Sequence, residues 1–163
     1  MVEYVIRFAQ SDAEAELRGI FLESGMDLAG ELQEHVVIRK QDEVIGGALV
    51  TQTSPDVYHL TVFAIKESAR SRGIGSLLIR DLVREPWKYS LNASGVTGDR
   101  FTVTTMAKGQ SVIFYRKNGF SPCEPAELAD PYRGQCDACA ERGDCNPLPM
   151  KYGGRPAAVV RRG

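Results

Sequence analysis

A short loop rich in arginine and glycine joins the strongest strand pattern of this sequence to a helix pattern. The loop is residues 70–75, Arg-Ser-Arg-Gly-Ile-Gly, and it follows the β-branched and aromatic run 57–65. The helix pattern rests on four apolar residues at helical spacing: Leu77, Leu78, Leu82 and Val83. Glycines let a backbone turn tightly and approach a ligand, and the first helical turn carries unpaired N–H groups. The junction therefore predicts a cradle for phosphate oxygens, to which Arg70 and Arg72 add positive charge.

Three phosphate-binding patterns compete for this loop. A P-loop requires Gly-Lys-Ser/Thr after four intervening residues, and residues 70–75 lack it. A dinucleotide-binding fingerprint requires a third glycine or alanine at position 78, where this chain has Leu78. The third pattern, R-x-x-G-x-G after a strand and at the start of a helix, matches, and it resembles the pyrophosphate loop of the GNAT superfamily of N-acetyltransferases. An ordinary glycine-containing turn is the alternative.

A second segment agrees with this resemblance. The β-branched strand pattern 101–105 is followed by a helix pattern over 109–118, which ends in Phe-Tyr-Arg-Lys-Asn-Gly-Phe at 114–120. That run is similar to the F/L-Y-x-x-x-G-F signature of the family. The order of predicted elements from residue 3 to residue 123 agrees as well, so the resemblance covers most of the chain.

The patterns predict an α/β (α+β) fold in a single domain over residues 1–152, with 153–163 as a flexible tail. The resemblance implies a mixed, mostly antiparallel central sheet that is flanked by helices and splayed in the middle for acyl-CoA. Strands are predicted at 3–8, 36–39, 44–50, 57–65, 101–105, 120–123 and 148–152. Helices are predicted within 11–34 (interrupted near Gly25 and Gly30), from Gly75 to Pro86, and over 109–118.

The resemblance implies acetyl-CoA as the co-substrate. In the family, the strand before the loop splays from its neighbour, and its exposed backbone groups pair with the pantetheine arm; here those positions are Phe63, Ala64 and Ile65. Core packing is the alternative for Phe63 and Ile65. Backbone amides would hold the pyrophosphate beside Arg70, and they belong to Ser71, Arg72, Gly73, Ile74 and Gly75.

Direct attack of an amine on the thioester needs a deprotonated amine, a polarised carbonyl and an acid for the leaving thiolate. Tyr115 matches the family's tyrosine near the cofactor sulfur and is the general-acid candidate, with a purely packing role as the alternative. His59 roughly matches the position of an acidic residue in many relatives and is the general-base candidate, although a strand histidine can equally be packed. Glu31 and Glu34 are further candidates. Lys108 stands where the family often has Asn, which puts a cofactor contact from that position in doubt.

Four cysteines lie in the last quarter of the chain, at Cys123, Cys136, Cys139 and Cys145, within the segment 123–147. Thiolates at such spacing suit zinc, and a metal could order a segment that has few apolar residues. Free thiols, a disulfide and an iron–sulfur cluster are the alternatives. The segment also loosely resembles the Cys-containing end of some stand-alone amino-acid acetyltransferases, which is a hint about the substrate.

The net charge of −1 gives no general attraction to nucleic acid or to anionic membranes. No apolar run reaches the roughly 20 residues of a membrane helix, and the N-terminus has no signal pattern, so we expect a cytoplasmic protein. The leading hypothesis is N-acetyl transfer from acetyl-CoA to a small amine or amino acid, with dimerisation expected because it is common in the family. The alternatives are O-acyl transfer, use of a longer acyl-CoA, and a CoA- or metal-binding sensor without turnover.

Overall fold

A mixed β-sheet forms the centre of the molecule in the computed structural model, which describes residues 3–70, 72–91, 93–94, 98–129 and 147–156. Its strands are β1 (Tyr4–Phe8), β2 (Val36–Lys40), β3 (Glu43–Ser54), β4 (Val57–Ile65), β5 (Phe101–Ala107), β6 (Ser121–Pro122) and β7 (Leu148–Gly154). Their order in the sheet is β1-β2-β3-β4-β5-β7-β6. Neighbouring strands are antiparallel except for β4 and β5, which are parallel. The predicted mixed, mostly antiparallel sheet is confirmed.

Helices cover both faces of this sheet. They are α1 (Glu14–Glu23), α2 (Ile74–Arg84) and α3 (Ser111–Lys117). The buried side chains of α1 are Leu17, Ile20 and Phe21, and they pack in one core with Val37. The buried face of α2 packs in a second core with Val36. Since adjacent strand residues point to opposite faces, the two cores lie on opposite sides of the sheet.

A β-bulge interrupts the pairing of β3 with β4. Leu49 pairs with Val62 whereas the next residue, Val50, pairs with Leu60, so that Thr61 is an extra residue in β4. The bulge reverses the alternation of faces along β4. Leu60 packs in the core of α2, and Val62 packs in the core of α1, although both positions are even-numbered.

The sheet splays directly beyond this bulge. The last pair between β4 and β5 is Leu60 with Thr105, yet β4 continues to Ile65. Residues 62–65 keep their partners on β3. Their other edge has no strand neighbour in the described part of the chain, and this opens the space in which the candidate site lies.

Residues 26–34 differ from the predicted second helix. Gly25 has a φ of 75° and ends α1, as a left-handed glycine commonly does. The His35 side chain then takes the place of helical bonds: its Nδ1–H donates to the Glu31 carbonyl (2.9 Å), and its Nε2 accepts from the Ala29 amide (3.2 Å). The only helical structure in this stretch is therefore the 3-10 turn Leu32–Glu34.

Four strands extend beyond their predicted ends: β2 to Lys40, β3 to Ser54, β5 to Ala107 and β7 to Gly154, two residues into the predicted tail. The part of the tail from residue 157 onward lies outside the described residues. Among the helices that the structure does describe, none has the length and apolar character needed to cross a membrane.

Candidate active site

A cleft of about 560 Å³ lies between the end of β4, the start of α2 and the start of α3. This volume falls in the usual range of small-molecule sites. The cleft is lined by six of the predicted cofactor-binding residues, namely Phe63, Ala64, Ile65, Arg70, Gly73 and Gly75. Arg72 is exposed and Ile74 is buried outside the lining, and Ser71 lies outside the described residues. Strand, loop and helix thus converge on one cleft.

The first turn of α2 forms one wall of this cleft. Gly73 is the N-cap, has a left-handed φ of 78°, and provides no side-chain hydrogen bond to the helix. The amides of the first turn therefore have no side-chain cap and can donate to an anion. A Cβ on Gly75 would lie 3.2 Å from Phe114 Cε1, so a glycine lets α3 approach α2 closely. An anionic group of a ligand could therefore bind at this helix start.

Arg70 is fixed at the edge of the cradle. Its Nε donates to the Ile65 carbonyl (2.9 Å), and its Nη2 donates to Ser24 Oγ (3.1 Å). Arginine has five N–H donors, so these two bonds leave further donors for a phosphate. The cation is therefore held where an anion on the α2 N-terminus would meet it.

A second cavity of about 370 Å³ adjoins the cleft. Its walls come from the segment after α1, the β4 bulge and the end of β5: Met26, Asp27, Ala29, Leu60, Thr61, Val62, Thr105, Met106 and Lys108. Both cavities are also lined by Ser24, Phe63, Ser111 and Tyr115. A molecule in the cleft and one in the second cavity would therefore meet at Tyr115.

Tyr115 lies at this junction and is 6% exposed. Burial raises the pKa of its hydroxyl well above the ordinary value, and a side-chain hydrogen bond with Thr105 opposes that shift. Phe114 and Phe120 pack edge-to-face against the ring, at centroid distances of 5.3 and 5.1 Å. The hydroxyl is thus protonated at neutral pH, as a proton donor must be.

His59 lies apart from this junction. It is 1% exposed and lines neither of the two cavities. The Thr104 hydroxyl donates to the Tyr58 carbonyl (3.3 Å) and accepts from His59 Nδ1–H (2.8 Å). Burial lowers the pKa of His59 to about 4, so the ring is neutral and a weak base at neutral pH. Its role as general base stays a prediction.

The buried His59 gives a pH-dependent stability. Its pKa is about 4 when folded and about 6.5 when unfolded, so the unfolded chain binds more protons between these values. The free energy of unfolding is therefore not reduced by His59 above about pH 6.5, and it decreases as the pH drops toward 4. Between pH 7.5 and pH 5.0 the free energy of unfolding should decrease in the parent by about 2 kcal/mol more than in His59→Gln. Urea titration at the two pH values measures this difference. Equal losses in the two proteins would contradict this assignment.

Glu31 and Glu34 serve the 3-10 turn between them. Their side chains form a reciprocal capping box, in which the Glu31 amide donates to Glu34 Oε1 (2.8 Å). Neither residue lines the two cavities described above. Asp27 and Thr61 do line the second cavity, and no local motif in the sequence marks either residue.

Most of the predicted metal ligands lie among residues that the structure does not describe. Cys136, Cys139 and Cys145 fall among the residues that the structure does not describe. Cys123 is half-buried and free, and burial is the main cause that raises the pKa of its thiol. Within the described ranges, no group of three or more His, Cys, Asp or Glu side chains is placed to hold a metal ion. The zinc site stays a prediction.

Comparison with known proteins adds independent information. The model of the acetyltransferase (GNAT) domain family matches residues 31–122, more than half of the chain. No curated protein matches the sequence significantly. The matched range contains β2 to β6, the α2 cradle and Tyr115.

Several solved structures share the fold. N-acetylglutamate synthase from Neisseria gonorrhoeae, in complex with coenzyme A and N-acetyl-glutamate, superposes with a TM-score of 0.71 at 15% identity, over 93% of this chain and 35% of that chain. This chain therefore spans about a third of that protein. Rv2747 from Mycobacterium tuberculosis, in complex with CoA, gives a TM-score of 0.65 at 14% identity, over 91% and 98% of the two chains.

The ribosomal-protein-S18-alanine N-acetyltransferase from Escherichia coli gives a TM-score of 0.62 at 12% identity, over 99% of both chains. At these identities the superpositions establish the fold, while the family model rests on the sequence itself. The range matched by the family model includes the end of β4 and the R-x-x-G-x-G loop. The chain therefore belongs to the GNAT family of acetyltransferases.

Proposed function

We propose that the protein transfers an acetyl group from acetyl-CoA to the amino group of a small amine or amino acid. The observation that carries this proposal is that Tyr115 lines both the cleft and the second cavity. The cleft, with its α2 cradle, would hold the cofactor, and the second cavity would hold the acceptor. Two structural neighbours support an amino-acid acceptor: the N-acetylglutamate synthase, and diaminobutyrate acetyltransferase from Paenibacillus lautus with its bound L-2,4-diaminobutyric acid.

In this reaction, one set of residues would bind acetyl-CoA and another would transfer protons. Acetyl-CoA supplies an acyl group that is activated as a thioester. The α2 amides and Arg70 bind the pyrophosphate, and the free edge of residues 62–65 is available to backbone bonds from the pantetheine arm. The amine nitrogen forms the new bond to the carbonyl carbon as the carbon–sulfur bond breaks. Tyr115 gives its proton to the departing sulfur, and the attacking nitrogen loses a proton to solvent or to a base.

Isothermal titration with acetyl-CoA tests the cofactor assignment. We expect the double variant Arg70→Ala, Gly73→Ala to bind at least about tenfold more weakly than the parent, a loss of about 1.4 kcal/mol. The substitutions remove the fixed cation and disfavour the left-handed N-cap, whose φ of 78° strains an alanine. A matched control is Arg84→Ala, since Arg84 is an exposed arginine at the far end of α2.

The control variant should bind acetyl-CoA like the parent. Absence of binding by the folded parent protein would remove the cofactor assignment. Binding without turnover on any amine would favour the sensor alternative, in which the cradle is kept for ligand detection.

A further inference from the structure

Lys108 occupies the second cavity at a position where the family often has asparagine. It directly follows β5, and its carbonyl accepts a hydrogen bond from the Ser111 amide (2.6 Å), which closes the turn into α3. The same helix carries Tyr115. Lys108 therefore lies on a short, hydrogen-bonded turn between two elements of the site, and it lines the second cavity.

The charges that line this cavity differ in whether they are already paired. Its charged lining residues are Asp27 and Lys108. The Asp27 carboxylate is already engaged: Oδ1 accepts from Arg18 Nε (3.1 Å) and from the Leu28 amide (2.7 Å). These bonds lower the pKa of Asp27, chiefly through the Leu28 amide. Lys108, in contrast, makes no ion pair with any described residue, so its ammonium is the charge that remains for a ligand.

Thr61 adds a polar group at the same cavity. Its Oγ1 is buried and has no hydrogen-bond partner among the described residues. A buried hydroxyl without a partner is costly, so a ligand that bonds to it would gain affinity. The bulge that places Thr61 here therefore favours a polar acceptor over a purely aliphatic amine.

We propose that Lys108 binds a carboxylate of the acceptor, so that the substrate is an amino acid rather than a simple amine or a polyamine. This inference rests on the proposed function. An amino acid would present its carboxylate to Lys108 and its amino group toward the junction at Tyr115. A polyamine would instead place a second cation beside Lys108, which like-charge repulsion opposes.

Steady-state kinetics with matched acceptors tests this assignment. Thiol release from acetyl-CoA is measured with the proteinogenic L-amino acids, with the α-carboxamide of each, and with aliphatic diamines. For the parent we expect turnover of one or more amino acids and at least about tenfold lower kcat/KM for the matching carboxamide. Asparagine and glutamine, compared with aspartate and glutamate, report whether a side-chain carboxylate is the one that is bound.

Variants of Lys108 separate recognition from structure. Lys108 is exposed, so substitutions there should leave the thermal midpoint unchanged. Lys108→Met should raise KM for the amino acid at least about tenfold with little change in kcat, and should leave the carboxamide unaffected. Lys108→Arg should retain most of the affinity, and Lys108→Glu should reverse the preference between acid and amide. The control is Lys88→Met, because Lys88 pairs with Glu85 away from both cavities.

Three results would overturn the inference, and they are distinguishable. If the parent acetylates amines but Lys108→Met has an unchanged KM, or if carboxamides and diamines react as well as amino acids, the carboxylate site is wrong while the proposed function stands. If the parent binds acetyl-CoA yet releases no thiol with any acceptor, the proposed function fails and the inference falls with it.

Discussion

Tyr115→Phe is expected to lower kcat by about a hundredfold to ten-thousandfold while leaving acetyl-CoA affinity within about threefold of the parent. The substitution removes only the hydroxyl from a ring that is 6% exposed and packed among Phe63, Phe114 and Phe120. Phenylalanine fills the same space, so the fold and the cleft wall remain. The loss would fall on proton donation to the leaving thiolate, which is measured by thiol release and by isothermal titration side by side.

The pH profile of the parent gives an independent check on the same role. Burial raises the pKa of the Tyr115 hydroxyl, so the acid stays protonated throughout the neutral and mildly alkaline range. The rate should rise with pH as the acceptor amine loses its proton, and no fall should occur below about pH 10. A rate that decreases as the pH rises above about 7, or a Tyr115→Phe variant with the kcat of the parent, would assign the proton transfer to another group.

The residues that line the cleft could be grouped from the sequence because many of them are close together in the chain. The end of β4, the loop and the first turn of α2 run from residue 63 to residue 76, and their function depends on local backbone geometry. Gly73 and Gly75 are visible in the sequence as residues without Cβ atoms, and the structure gives each a reason, a left-handed φ and a close approach to Phe114. The local motif therefore carried most of the information.

The lining of the second cavity was not predictable for the opposite reason. Asp27, Thr61 and Lys108 come from three distant segments, and the bulge at Thr61 arises from the register of β4 against β3. Nothing in the continuous apolar run of β4 marks the residue at which the alternation of faces reverses. A sequence pattern reports periodicity within a strand, whereas a bulge is a property of the pair.

The two histidines show a related limit. His59 pairs across the sheet with Thr104, 45 residues away, and its Nδ1–H donates to the Thr104 hydroxyl. His35 bonds the backbone of Ala29 and Glu31, and these bonds replace helical ones in a segment that contributes Met26, Asp27 and Ala29 to the second cavity. The surroundings of both histidines depend on contacts that a local sequence pattern does not reveal.

Gly47 and Gly19 should respond to the same substitution with opposite signs. Gly47 lies in β3 beneath α1, where an added Cβ would collide with Leu17 Cδ1 and lie 2.9 Å from the Val36 carbonyl oxygen. The carbonyl belongs to the paired strand β2 and cannot yield without breaking the register. We expect Gly47→Ala to lower the free energy of unfolding by about 2–3 kcal/mol, and the thermal midpoint by about 4–12 °C.

Gly19→Ala is the matched control, because Gly19 lies on α1, the helix that packs over Gly47. Gly19 is an exposed residue in the interior of α1, and a Cβ built there meets nothing within 4 Å. Alanine restricts the unfolded chain and favours the helix, so the variant should gain about 0.5–1 kcal/mol. Urea titration of both variants decides the matter. A Gly47→Ala protein as stable as the parent would mean that α1 can move away from the sheet. Close packing of α1 would then not be what places Ser24, at the end of α1, beside Arg70.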